Sequence, residues 1–176
     1  MFVRLSAAIA AVSLLSSAAL AQGAKPTDPQ IAHIAYTAGV IDIKAAKQAL
    51  SKTGNRDVKA FAQDMVRDHE AVNKQALDLV KKLNVKPEDN DTSKTLSKNA
   101  ADKLAELGKL KGAAFDKAYV DHEVAYHQQV IDALDKTLIP GATNAELKAL
   151  LIKVRPAFVA HLDHAKRLQS SMSQGH

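Results

Sequence analysis

"FAQDMVRDHEAVN", residues 61–73, is the stretch that decides the fold. Counting from Val58, apolar residues return at Phe61, Met65, Val72, Ala76, Leu79 and Leu83 in steps of three and four, and only His69 interrupts them. That spacing is the buried stripe of a helix packed in a bundle. A histidine on such a stripe is either a core residue with its own hydrogen-bond partner or one of several groups gathered from different helices. The choice depends on what the neighbouring helices bring to the same level.

The rest of the chain supplies those helices. From Asp28 onward Ala, Lys, Leu, Asp and Gln dominate, and Val and Ile follow helical spacing instead of alternating, so an all-α fold is predicted. A first helix is expected over Asp28–Lys52, with Pro29 in its first turn and Gly54-Asn55 closing it. A second spans Arg56–Leu83 and stops before Pro87, and the two form an antiparallel hairpin. The polar linker from Asn84 to Gly112 holds a shorter helix over Ser93–Leu107. A fourth helix covers Ala113–Thr137, "LIPGAT" reads as the turn, and Thr143 with Glu146 makes a capping box for a last helix running to Met172. Pro156, inside that helix, withholds the donor that the Ile152 carbonyl would use, and a kink is expected. Two long hairpins joined by a linker able to span the bundle predict a ferritin-like four-helix bundle with a crossover carrying a short extra helix; a simple up-down-up-down bundle is the competing topology.

Each long helix then shows one polar interruption on its inward stripe. On the fourth, Val120, Val124, Ile131, Leu134 and Leu138 leave a vacancy at His127. On the last, His161 falls between Phe158 and Ala165. On the first, Ile31, Ala35, Ala38, Ala45 and Ala49 leave Asp42. Asp42, His69 and His127 lie near mid-helix, whereas a tight turn after Thr137 would leave His161 about 10 Å off their level at 1.5 Å of rise per residue. Weaker candidates are Glu123, on the face of His127 but also readable as a solvated surface residue, and His122, the substitute neighbour for His161. Three imidazoles and a carboxylate facing inward would suit one zinc, copper or iron ion better than calcium. The same groups also make a metal-free network of histidines and buried water.

The N-terminus reads "MFVRLSAAIAAVSLLSSAALAQG", with Arg4 before an apolar run and Ala19-Leu20-Ala21 as a processing pattern. Residues 1–21 are expected to be a signal peptide, with 22–176 the helical domain, placed in the periplasm or secreted. Zero cysteines exclude disulfides and iron–sulfur sites. The net charge of +5 drops to about +4 once Arg4 is removed, and its lysines are spread along the chain. Nucleic acid is not an expected partner, nor is a membrane span after cleavage. Weak contact with anionic envelope surfaces fits the charge, and homo-oligomers are compatible with the pattern. No phosphate loop, nucleophile elbow or Ser/His/Asp order is present, so no catalytic residue is assigned.

Three motifs, "VKAFAQDMVRDHEAVN", "FDKAYVDHEVAYHQQVI" and "RPAFVAHLDHAKRL", together resemble the exported bacterial family called domain of unknown function 4142, whose members often carry an outer-membrane label. The resemblance implies a ferritin-like bundle and export, and it places His69, His127 and His161 where that family carries histidines. Paired Glu-x-x-His motifs of di-iron bundles are missing, which argues against iron storage. The expected function is a periplasmic binding protein holding one transition metal, in metal handling or envelope stress. A metal-free structural module is the alternative, and a metal-dependent oxidoreductase the third.

Overall fold

The computed structural model describes residues 25–174, all of whose regular elements are helical. The expected signal peptide, residues 1–21, lies outside the described residues, as does His176. Helix α1 runs Asp28–Lys52, α2 Arg56–Lys82, α3 Asp91–Lys109 and α4 Gly112–Ala133. A π-helical turn, Leu134–Leu138, and the short α5, Ile139–Gly141, continue α4, and α6 runs Ala145–Gln174.

Local chemistry explains the boundaries. Thr27 and Gln30 form a capping box at the start of α1. The Asn55 side chain accepts from the amides of Asp57 and Val58 and starts α2. α2 ends where Asn84 takes a φ of 50° and the Val85 amide reaches back to the Val80 carbonyl at 2.9 Å. Asn90 and Ser93 box the start of α3.

The last helix departs from expectation. Asn144, not Thr143, caps α6, accepting from the amides of Glu146 and Leu147 at 3.0 Å each. Thr143 is taken instead by Asp28, which accepts from its amide at 2.8 Å, from its hydroxyl, and from the Asn144 amide at 2.9 Å. These bonds tie the start of α6 to the start of α1. α6 continues as helix through Pro156.

"LIPG" also departs from expectation, because it is helical. Pro140 has no N–H for the carbonyl four residues back, and its ring would strike that carbonyl. The wider π turn, with the Ile139 amide on the Leu134 carbonyl, moves it aside and lets the helix go on to Gly141.

The linker runs the full length of the bundle. At its start the Glu88 amide donates to the Pro29 carbonyl at 3.0 Å, and at its end Lys52 Nζ donates to the Gly108 carbonyl at 2.7 Å. α3 therefore lies parallel to α1 on its outer side, and α4 descends beside α1 instead of following a simple up-down-up-down course. Neighbours are α1 with α2, α2 with α6, α6 with α4 and α4 with α1. Taking the Asp28 end as the bottom, one apolar core lies in the upper half around Phe61, Met65, Phe115 and Tyr119. A second fills the lower half around Ile31, Leu134, Leu151 and Phe158. Among the described residues, no helix is long and apolar enough to cross a membrane.

α1 and α2 approach closely at Gly39. A Cβ there would sit 2.2 Å from Asn73 Oδ1 and 2.8 Å from its Cγ, on a side chain that is itself buried. Gly39→Ala is expected to lower stability by about 1–3 kcal/mol through this overlap. With Asn73→Ala already present, the same change should become neutral or gain up to about 1 kcal/mol from helix propensity. Urea melts of the four proteins of this cycle check the coupling, and an equal cost in both backgrounds would refute the contact.

Candidate metal centre

Between the two apolar cores lies a layer of buried polar groups, and it contains the inward residues of all four long helices. Asp42, His69, His127 and Glu123 are 0–2 % exposed and His161 8 %. The ring centroids of His69, His127 and His161 form a near-regular triangle with sides of 5.7, 5.3 and 5.4 Å. Each offers a nitrogen within 4.8 Å of those of the other two. Atoms of Asp42, Glu123 and His127 form a second such group, so His127 is common to both. Phe158 closes the layer from below, its ring centroid 5.3 Å from that of His69.

His161 reaches this level because of the π turn. His127 lies 14 residues before Gly141 and His161 lies 16 after Ala145, so the two differ in height by only about 3 Å. The 10 Å offset expected from a turn just after Thr137 does not arise. Glu123 is fully buried rather than solvated, since α4 is flanked by α1 and α6 and touched by α3, which widens its inward arc. His122 belongs to neither group of candidate ligands and instead packs against Tyr126, ring centroids 5.7 Å apart. His164 stands edge-on to Phe61.

Hydrogen bonds decide which nitrogens are free. His127 Nδ1 donates to the Glu123 backbone carbonyl at 3.0 Å, so its Nε2 carries a lone pair, and that atom has no hydrogen-bond partner. His161 Nε2 donates to Asp68 Oδ2 at 3.0 Å, leaving Nδ1 free and buried. Arg67 Nε holds the other oxygen of Asp68 at 2.8 Å. A carboxylate behind an imidazole in this way is how ligand histidines are oriented. His69 Nε2 lies 3.0 Å from Asp42 Oδ2, though off the line of a good hydrogen bond, and its Nδ1 is also unpartnered.

The charges separate. For Asp42, burial acts to raise the carboxyl, but the neighbouring His69, then His127 and His161, outweigh it and hold the group below the usual carboxylate range. Glu123 is pushed well up, by burial first and by the charge of Asp42 second, so it stays protonated. Burial drives His127 down to about 4 and lowers His161, against the pull of their carboxylate neighbours. At neutral pH, then, the lone pair of neutral His127 Nε2 faces ionised Asp42 Oδ2 at 3.4 Å. Two acceptors at that distance repel unless a cation lies between or beside them.

A helical bundle with a histidine and carboxylate layer at its waist is thus the class of protein defined here. The chain belongs to the DUF4142 family, a domain of unknown function, whose family model matches residues 13–168. No curated protein matches it in sequence. Among solved structures, a DUF305 protein of Streptomyces coelicolor, described as a putative secreted protein, is similar with a TM-score of 0.69 at 11% identity, over 82% of this chain and 92% of that one. CopM in its Cu(II)-bound form is similar with a TM-score of 0.64 at 18% identity, over 83% of this chain and 98% of that one. At such identities the likeness shows a shared helical-bundle fold.

A carboxyl whose folded pKa is raised stabilises the fold below its unfolded value, near 4.5 for Glu123, and that contribution is lost as pH rises. Glu123→Gln keeps the shape and removes the titration. In chelator-treated protein this variant should melt above the parent near neutral pH, with the gain fading as pH falls to about 4.5. Melting curves across pH check it, and an equal loss of stability at both ends would mean that Glu123 is ionised.

Proposed function

We propose that the chain is an exported metal-binding protein whose central layer holds one transition-metal ion, copper or zinc, in metal handling within the cell envelope. The observation that carries this reading is the set of buried lone pairs without partners: His127 Nε2, His161 Nδ1, His69 Nδ1 and both oxygens of Asp42. Buried polar atoms left unpaired cost about 1–3 kcal/mol each, and an ion satisfies several at once. Imidazole nitrogen with one carboxylate suits zinc and copper.

His127, His161 and His69 would supply nitrogen and Asp42 the anionic oxygen, with the neutral Glu123 carboxyl alongside. Donor atoms around a tetrahedral ion would lie roughly 3.3 Å apart, so ring nitrogens now within 4.8 Å of one another would need to close by up to about 1.5 Å through small rotations. A metal bound here contributes charge compensation for Asp42. The chain's own residues orient the rings, through Asp68 for His161 and the Glu123 carbonyl for His127, and exclude water by packing Phe158 and Met65 on either side. The copper-bound state of CopM supports the reading to the extent that the same architecture accommodates that ion. The apolar N-terminal run with its processing pattern supports export.

The test is metal analysis of untagged protein purified from the periplasm, followed by titration of chelator-treated protein with Cu(II) and with Zn(II). One ion per chain is expected, with loss of binding in His69→Ala and His127→Ala. Asp68→Asn should weaken affinity by about 10–100-fold without abolishing it, because it touches the ion only through His161. Unchanged binding in both histidine variants, or none in the parent, would leave the layer as a metal-free network of imidazoles and water.

A further inference from the structure

The polar layer is closed above and below by hydrocarbon. Phe158 covers it from below, and Phe61, Met65 and Tyr119, all 0 % exposed, cover it from above. Packed side chains of this kind are a poor route for a metal ion, because a charge that leaves water without ligands is strongly disfavoured. An ion that reaches the layer needs polar groups along its way.

Such groups leave the layer at one place. The side-chain ion pairs and hydrogen bonds of Asp42, His69, Glu123 and His127 end on buried groups. Among the described residues, only His161 joins the layer to a side chain that solvent reaches. It meets Asp68 across the seam between α6 and α2: Nε2 lies 3.0 Å from Asp68 Oδ2, on a side chain that is 33 % exposed, while Nδ1 is buried and unpartnered. His161 is also the most exposed of the three layer imidazoles.

Outside this pair stands Arg67, whose side chain is 67 % exposed. Its Nε donates to Asp68 Oδ1 at 2.8 Å and its Nη1 to Asp64 Oδ1 at 2.6 Å, so one guanidinium ties down two carboxylates about a helical turn apart. The planar fork fixes Asp68, and with it the outer nitrogen of His161. Ion pairs so open to solvent are weak, so the arrangement opens readily.

We infer, on the reading that the layer holds an ion, that the seam between α2 and α6 is the port through which the ion enters and leaves, with Arg67 as its latch. Asp68, once released by Arg67, offers a carboxylate to the incoming cation at the surface, and His161 passes it inward. Arg67 is a positioning residue, acting on the exchange of the ion through Asp68.

Stopped-flow loading of chelator-treated protein with Cu(II), and removal of the ion by excess chelator, give the two rates. Arg67→Gln is expected to raise both by about two- to fivefold, the range of an exposed ion pair, and so to leave the dissociation constant within about twofold. Arg67→Lys, which keeps the charge without the fork, should behave like Arg67→Gln. Faster loading alone, with tighter binding, would mean that Arg67 only repels the cation and would overturn the latch, as would Arg67→Lys at the parent's rates. A second readout needs no metal: carbethoxylation of the chelator-treated protein, mapped by peptide mass spectrometry. Of the three layer histidines, His161 should react first, and faster still in Arg67→Gln. Reaction of His69 or His127 before His161 would overturn the port. If the parent takes up no copper, the metal-binding reading falls, and the order of carbethoxylation alone supports or overturns the opening at this seam.

Discussion

The structure depends on the desolvation of one layer of polar groups. Asp42, His69, Glu123, His127 and His161 lie between two apolar cores, where water cannot satisfy them in bulk. Every helix that contributes a member must therefore hold its height and rotation, since a slip of one residue would move an imidazole into hydrocarbon. An all-aliphatic bundle has no such demand and can settle into several registers. All four long helices bring their buried polar residues to this one height.

Within the layer, electrostatics divide two carboxyl groups into unlike states. Asp42 sits next to imidazoles and remains ionised; Glu123 has Asp42 and the Tyr119 hydroxyl for company and remains neutral. Two carboxylates this close could not both be charged in so dry a place. The result is a centre with one ionised carboxylate, beside which burial keeps His127 and His161 neutral, each with an unpartnered nitrogen. Imidazole and carboxylate donors of this kind are chemically suited to a transition-metal cation.

The outer parts of the fold serve this arrangement. α3 covers α1 along its length and carries the chain from the bottom of the bundle to the top, so that α4 descends antiparallel to α1. The π turn and α5 lengthen the descent, and Asp28 clamps the next turn by three hydrogen bonds. Together these set the height at which α6 begins, and hence the height of His161. The same widened turn lines an apolar cavity in the lower core, which places a packing defect next to the polar layer.

Helical spacing determined the all-α class and the inward direction of Asp42, His69, His127 and His161, and turn residues with the polar linker gave the bounds of α1, those of α2 to within one residue, and the long crossover. It could do so because direction is set by the 3.6-residue period, a local property of the backbone. Height is not local. The level of His161 depended on whether Pro140 ended a helix or widened it, and both outcomes are compatible with "LIPG". Glu123 already showed the spacing of a buried residue, three after Val120 and four before His127, but only the packing of α1, α3 and α6 around α4 decided that it is dry and protonated. Asp68 and Asn73 lie off the apolar stripe of α2, and helical spacing alone assigns them no partner. Their roles behind His161 and beside Gly39 required a second helix at a definite distance, which only the tertiary structure provides.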